Sequence, residues 1–122
     1  MKKILVIEDE GIIRLNLLHL LNAQGFNTIG AENGSVGVRL VREFIPDLII
    51  CNIKMPGLNG YEVFRELRSD SSTAAIPFIF LTAQIDMNEF SQEDKKSIRY
   101  LGKPFMANEL LEIIAEFLGS ES

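Results

Sequence analysis

Short apolar runs alternate with amphipathic segments along this chain, and this alternation restricts the fold more than any other feature. The run DLIICN, residues 47–52, is nearly all apolar, which is typical of a strand covered on both faces. Comparable runs are KKILVIE, FNTIGA, IPFIFLT and the weaker IRYL. Because helical patterns lie between these runs, the order predicts a parallel sheet with helices on both faces.

The segment SVGVRLVREF illustrates the helical pattern. Its residues Val36, Leu40 and Phe44 recur every four positions, so the spacing predicts that they form the inner face of a helix. Pro46 cannot continue that helix and marks its end. GIIRLNLLHLLNAQG, GYEVFRELR and NELLEIIAEFL are amphipathic in the same way and predict three further helices.

Composition narrows the class of protein. A chain of 122 residues with 47% hydrophobic and 24% charged residues has the size and balance of one globular domain. We expect this domain to span residues 1–119, with a polar tail at 120–122. The net charge of −5 gives no electrostatic reason to bind nucleic acid or an anionic membrane. No apolar run approaches the roughly 20 residues of a membrane span, and acids follow the first run directly, so we expect a cytoplasmic protein.

Polar side chains stand where four of the predicted strands end: Glu8, Asp9, Asn52, Thr82 and Lys103. Sites in an open parallel sheet form outside the carboxyl ends of the strands, so we expect these side chains to converge. Neighbouring oxygens favour a hard cation such as Mg²⁺, while an ammonium and a hydroxyl can hold phosphoryl oxygens. A carboxylate at position 52 could attack a phosphoryl donor, but the residue there is an amide.

Four motifs carry a resemblance that covers essentially the whole chain: VIEDE, NIKMPGLNG, FLTA and YLGKPF. With them the sequence resembles the receiver domain of bacterial two-component response regulators, the chemotaxis-regulator-like family. The resemblance implies a flavodoxin-like, doubly wound (βα)5 sandwich with five helices and a five-stranded parallel sheet in the order 2-1-3-4-5. It also implies a signalling module rather than an enzyme, one that takes phosphate from a histidine kinase or phosphotransfer protein onto an aspartate with Mg²⁺.

The resemblance implies a metal site as well. Glu8 and Asp9 match the acid pair, with Asp9 the more direct ligand, and the backbone carbonyl of Lys54 would complete the set with position 52. Asn52 stands where the family has its phosphoacceptor aspartate.

Further positions match the family's phosphoryl-binding and switch residues. Thr82 and Lys103 would bind the phosphoryl group, and Thr82 with Tyr100 would form the switch. The peptide bond between Lys103 and Pro104 would be cis, as proline permits.

Asn52 is the first departure from the family pattern. An amide is a poor nucleophile, so no acyl phosphate forms at position 52, and the loss of one negative charge should weaken Mg²⁺ binding. Two origins fit the sequence: an engineered Asp→Asn change that traps the inactive state, or a natural receiver that works without phosphate.

The second departure is the stretch 83–99, where the family has an apolar-faced fourth helix. Large apolar residues are few here, so we expect this helix to be short, shifted or mobile. The fourth helix, fifth strand and fifth helix form the face that meets output domains or partners in the family. The altered stretch motivates an alternative function, a phosphorylation-independent interaction module. The other interpretation is a variable surface helix in a receiver of ordinary function. A flavin-binding protein of the same fold is disfavoured, because an acid pair replaces the loop of N–H donors that a phosphate needs.

Overall fold

The computed structural model describes residues 1–119, and the predicted tail at 120–122 lies outside them. The strands are β1 Lys3–Ile7, β2 Asn27–Ala31, β3 Leu48–Asn52, β4 Phe78–Thr82 and β5 Ile98–Gly102. The helices are α1 Gly11–Ala23, α2 Gly34–Phe44, α3 Gly60–Arg68, α4 Gln92–Lys95 and α5 Ala107–Leu118. A 3-10 turn, Met87–Glu89, precedes α4.

All neighbouring strands pair in parallel, in the order β2-β1-β3-β4-β5. This order and the five α-helices confirm the predicted doubly wound architecture. The order reverses direction between β1 and β3, so the carboxyl ends of these strands border the crevice where such sheets bind ligands. Within residues 1–119, every helix is too short or too polar to cross a bilayer.

Two apolar layers cover the sheet. One contains residues of α2 and α3, and its centre is a group of aromatic rings in which Phe64 contacts Phe78, Phe80 and Phe90. The other contains residues of α1 and α5, including Leu21. Because both faces of the sheet are covered, β3 is fully apolar until it reaches Asn52.

The inner face of α2 includes the predicted residues but is centred on others. Val36, Leu40 and Phe44 are only partly buried and flank the core, whereas Val38 and Val41 lie inside it. Gly37 sits at the centre of this face, where a Cβ atom would come within 2.5 Å of the Ile7 side chain. The helix therefore packs on β1 through a glycine, which a search for apolar spacing overlooks.

The prediction of a short fourth helix is confirmed, since α4 has four residues. Three polar contacts join the stretch before and within α4 to α3. The backbone N–H of Asp86 donates to the Tyr61 hydroxyl at 2.8 Å, while Arg65 pairs with Glu89 and Arg68 with Asp94. Residues 61, 65 and 68 lie on one face of α3. Their polar contacts add to the apolar packing that holds the stretch before and within α4.

Candidate functional site

The acid pair stands directly beyond β1. The N–H of Glu8 donates to the carbonyl of Ala31 at 3.1 Å, which extends the β1–β2 ladder by one residue. This fixes the Glu8 side chain below the surface, where it is 1% exposed. The Glu8 Oε2 atom accepts from the N–H of Glu10 at 3.1 Å, and the Asp9 side chain lies half-buried above it.

Asn52 ends β3 and points its side-chain amide at the acid pair. Its Nδ2 atom lies 3.4 Å from Glu8 Oε2, 3.3 Å from Asp9 Oδ1 and 3.3 Å from the Lys54 carbonyl oxygen. Ionised carboxylates and carbonyls only accept hydrogen bonds, so the NH₂ end of the amide faces them. The predicted convergence of Glu8, Asp9 and Asn52 is observed, and the Lys54 carbonyl joins them.

Lys103 reaches the same group of oxygens from the loop after β5. Its Nζ lies 3.6 Å from Glu8 Oε1, a buried oxygen without a hydrogen-bond partner among the described residues. Burial raises the pKa of Glu8, while the N–H of Glu10 and the Lys103 ammonium oppose that rise. Lys103 is therefore the cation that stabilises the buried carboxylate. The Lys103–Pro104 bond is cis, as the resemblance predicted.

Thr82 ends β4 but its hydroxyl is engaged locally. The hydroxyl donates to the carbonyl of Gln84 at 2.6 Å and accepts from the N–H of Gln84 at 3.1 Å. Thr82, Asn52 and Lys103 nevertheless line one cleft of about 790 Å³. Tyr100 lies on β5 outside this lining, with half of its surface exposed.

The neighbouring thiol does not replace the missing nucleophile. Cys51 is fully buried, and its Sγ donates to the carbonyl of Asn52 at 3.1 Å. Burial is the main cause that raises the pKa of this thiol, followed by the charge of Glu8. A thiol that stays protonated and inaccessible is inert, so the chemistry of the cleft depends on position 52.

The loop between β3 and α3 and the start of α3 hold the backbone at Asn52 in place. Asn59 and Glu62 form a capping box at the start of α3, with reciprocal contacts of 2.9 Å. The first residue of α3, Gly60, donates its N–H to Ile53 at 2.8 Å. A Cβ atom at Gly60 would lie 2.6 Å from the backbone oxygen of Asn52, so glycine lets the helix approach the strand end.

The observed donor set does not fit Mg²⁺. The described part of the chain holds no group of three carboxylate, histidine or cysteine side chains that could bind a metal ion, and the acids in contact with Asn52 are Glu8 and Asp9. Asn52, the fourth residue of the predicted metal site, presents N–H donors, which cannot ligate a cation. The site thus combines two carboxylates, a carbonyl, a lysine and an amide whose NH₂ group faces three of the oxygens.

Residues 4–115 match the family described as the response regulator receiver domain. The chain belongs to this family. The receiver domain is 36% identical over 115 residues to the protein PilH of Pseudomonas aeruginosa, covering 93% of this chain and 95% of PilH. It is also 35% identical to the probable transcriptional regulator ycf29 of Pyropia yezoensis, where it covers 98% of this chain but 54% of the relative. The chain therefore spans about half the length of that relative.

A solved structure adds a ligand to the comparison. The receiver domain of the sensor histidine kinase PA1611 of Pseudomonas aeruginosa PAO1 is 28% identical, with a TM-score of 0.81 and 98% of each chain covered. That crystal structure has a magnesium ion coordinated in its active site cleft.

Several residues of the cleft were not identified from the sequence. Tyr61, Asn59 and Asp86 line it together with the predicted residues. The sequence predicts the start of α3 at Gly60, and the spacing of Asn59 and Glu62 carries a recognisable capping signal that would also have identified its cap. No sequence signal predicts the hydrogen bond between Asp86 and Tyr61, because it joins residues 25 positions apart.

Proposed function

We propose that this chain is a receiver module of a bacterial two-component phosphorelay in which position 52 does not take up phosphate. The observation that carries the proposal is the Asn52 amide at the end of β3, between the acid pair and the Lys54 carbonyl. Phosphoryl transfer onto a receiver requires a carboxylate nucleophile, and an amide oxygen attacks poorly. The module acts in signalling rather than as an enzyme, and it is cytoplasmic.

The rest of the cleft supports the assignment of roles to the other residues. We assign Lys103 and Thr82 to the oxygens of a phosphoryl group, for which Thr82 must exchange its contacts with Gln84. Thr82 and Tyr100 form the switch, and Tyr100 is exposed enough to change rotamer. The whole of residues 1–119 acts as one receiver domain.

The partners follow from the family. Receiver domains interact with histidine kinases and output domains, and we assign the output contact of this chain to the face formed by α4, β5 and α5. Mg²⁺ is the family's cofactor, as in the PA1611 receiver, and Asn52 weakens its binding here because it removes one negative charge. No role in direct nucleic-acid or membrane binding is assigned, since the net charge is −5.

Phosphorylation by a small donor tests this function. The protein and its Asn52→Asp variant are incubated with acetyl phosphate and Mg²⁺, and intact mass spectrometry measures phosphate uptake. We expect uptake by Asn52→Asp only, because the variant regains the carboxylate that forms an acyl phosphate. Asn52→Ala serves as the matched control without a nucleophile.

Two outcomes would contradict the proposal. Phosphate on Asn52 of the unchanged protein would show that the position is not blocked. A folded Asn52→Asp protein that takes up no phosphate would show that Lys103 and Thr82 do not form a working cleft. The latter result would favour the second candidate, a phosphorylation-independent interaction module, which the unusual one-turn α4 supports.

A further inference from the structure

The Asn52 amide occupies a defined point among three acceptors. Its Nδ2 atom is nearly equidistant from Glu8 Oε2, Asp9 Oδ1 and the Lys54 carbonyl, at 3.3 to 3.4 Å. These are the protein oxygens that the family resemblance assigns to the metal. One polar donor therefore satisfies the set of atoms that a divalent cation would otherwise hold together.

The chain itself offsets part of the negative charge around this point, with one ammonium for two carboxylates. Glu8 Oε2 also accepts from the N–H of Glu10, and Glu8 Oε1 faces the Lys103 ammonium at 3.6 Å. Each oxygen of the acid pair that points inward thus faces an N–H donor or a cation of the protein. Buried acceptors are stabilised by such partners, so the folded pocket depends less on an added cation.

We propose that the Asn52 amide is an internal replacement for the divalent cation, so that this receiver pocket excludes Mg²⁺. This inference rests on the proposed function, because it uses the receiver's own acid pair. It goes further than weakened binding, because the amide NH₂ group itself blocks the cation, in addition to the effect of the lost negative charge.

Geometry explains the exclusion. Mg²⁺ binds oxygens at about 2.1 Å and requires an acceptor in every ligand direction. The two Nδ2 hydrogens of Asn52 are shared among the Glu8, Asp9 and Lys54 oxygens, so the NH₂ group occupies the place from which a cation would contact them. To present Oδ1 instead, the amide must rotate and withdraw both hydrogens from the three oxygens. Two hydrogen bonds to charged acceptors correspond to an affinity about 100-fold lower than in a site that has a carboxylate at position 52.

The test measures Mg²⁺ binding without phosphorylation. Urea midpoints of the unchanged protein, Asn52→Asp and Asn52→Ala are compared across a MgCl₂ series, with KCl at matched ionic strength as the control. Mn²⁺ serves as a second probe, because it broadens NMR signals of nearby backbone amides such as those of Asp9 and Lys54. We expect no Mg²⁺-dependent shift and no selective broadening for the unchanged protein, and both effects for Asn52→Asp.

Asn52→Ala separates the amide from the charge. Alanine lacks the negative charge of aspartate and also the NH₂ group of asparagine. If the amide blocks the cation, Asn52→Ala binds Mg²⁺ more tightly than the unchanged protein and more weakly than Asn52→Asp. If Asn52→Ala is as unresponsive as the unchanged protein, missing charge alone explains the result and the replacement role is wrong.

A direct result would also overturn the inference. An Mg²⁺ affinity of the unchanged protein within about tenfold of the Asn52→Asp value is incompatible with a blocked site, given the cost of losing the hydrogen bonds. The proposed function would survive that result as long as Asn52→Asp takes up phosphate and the unchanged protein does not. Conversely, failure of phosphorylation with an intact difference in Mg²⁺ binding would overturn the function and leave this inference standing.

Discussion

Replacing Arg68 with alanine should detach the short α4 stretch from the core. The Arg68 guanidinium lies at the end of α3 and contacts Asp94 at 3.3 Å and the carbonyl of Ile76 at 3.3 Å. It also donates to the carbonyl of Ala74 and the hydroxyl of Ser97. Because the side chain is only 16% exposed, water cannot fully replace it at these acceptors.

The magnitude follows from these contacts. A hydrogen bond to a charged group contributes about 1.5–3 kcal/mol to the free energy of unfolding, and the low end applies because Asp94 is 28% exposed. The guanidinium lies 4.3 Å from the ring centroid of Phe64, a contact that adds about 0.5–1 kcal/mol. With at least one carbonyl left unsatisfied, Arg68→Ala should lower the free energy of unfolding by about 3 kcal/mol.

Arg65 provides a matched control on the same helix. It pairs with Glu89 at 3.1 Å, but both side chains are largely exposed, at 56% and 41%. Arg65→Ala should therefore cost less than about 1 kcal/mol. Urea unfolding gives both values, and hydrogen exchange at the Ser97 amide reports local detachment. Equal losses for the two variants would refute the argument that burial makes Arg68 the main link.

Three further substitutions test separate features. Gly60→Ala should lower the free energy of unfolding by about 1–3 kcal/mol in urea, since its Cβ would meet the Asn52 backbone oxygen at 2.6 Å; an unchanged midpoint would contradict this. Ile45→Gly should raise the free energy of unfolding by up to about 1 kcal/mol, because Ile45 follows α2 with a left-handed φ of 46° that favours glycine. Thermal unfolding measures this gain, and an unchanged melting temperature would show that Ile45 is not strained. Hydrogen bonds from Ser72 lower the pKa of Asp70, so the ionised Asp70 stabilises the folded protein above pH 3.8. This stabilisation is lost as the pH falls through the lowered pKa. The difference in the free energy of unfolding between the unchanged protein and Asp70→Asn should therefore shrink over that range.

The sheet could be predicted from the sequence because burial on both faces produces continuous apolar runs such as LIICN. The centre of the inner face of α2 could not be predicted from the sequence in this way. Its centre is Gly37, and a glycine at a close helix–strand contact is invisible to a pattern of apolar side chains. The spacing therefore identified the flanking residues Val36 and Leu40, which are partly buried, in place of Val38.

The α4 stretch shows a different limit. Scarcity of apolar residues predicted a short helix correctly, because helices in proteins depend on packing of an apolar face. Besides the packing of Phe90, the stretch is held by Arg68, whose partner Asp94 is 26 positions away, and by Tyr61, whose partner is Asp86. Such pairs have no local periodicity, so only the fold brings them together.

The chemistry of Asn52 could be predicted in part. Residue type alone shows that an amide is not a phosphate acceptor, but it does not show which end of the amide faces the acid pair. The fold decides this, because Glu8, Asp9 and the Lys54 carbonyl present only acceptors and so select the NH₂ end. A single change from carboxylate to amide then removes the nucleophile and supplies the donor that takes the cation's place. If so, metal binding and phosphate uptake should return together in Asn52→Asp, because one side chain accounts for the loss of both.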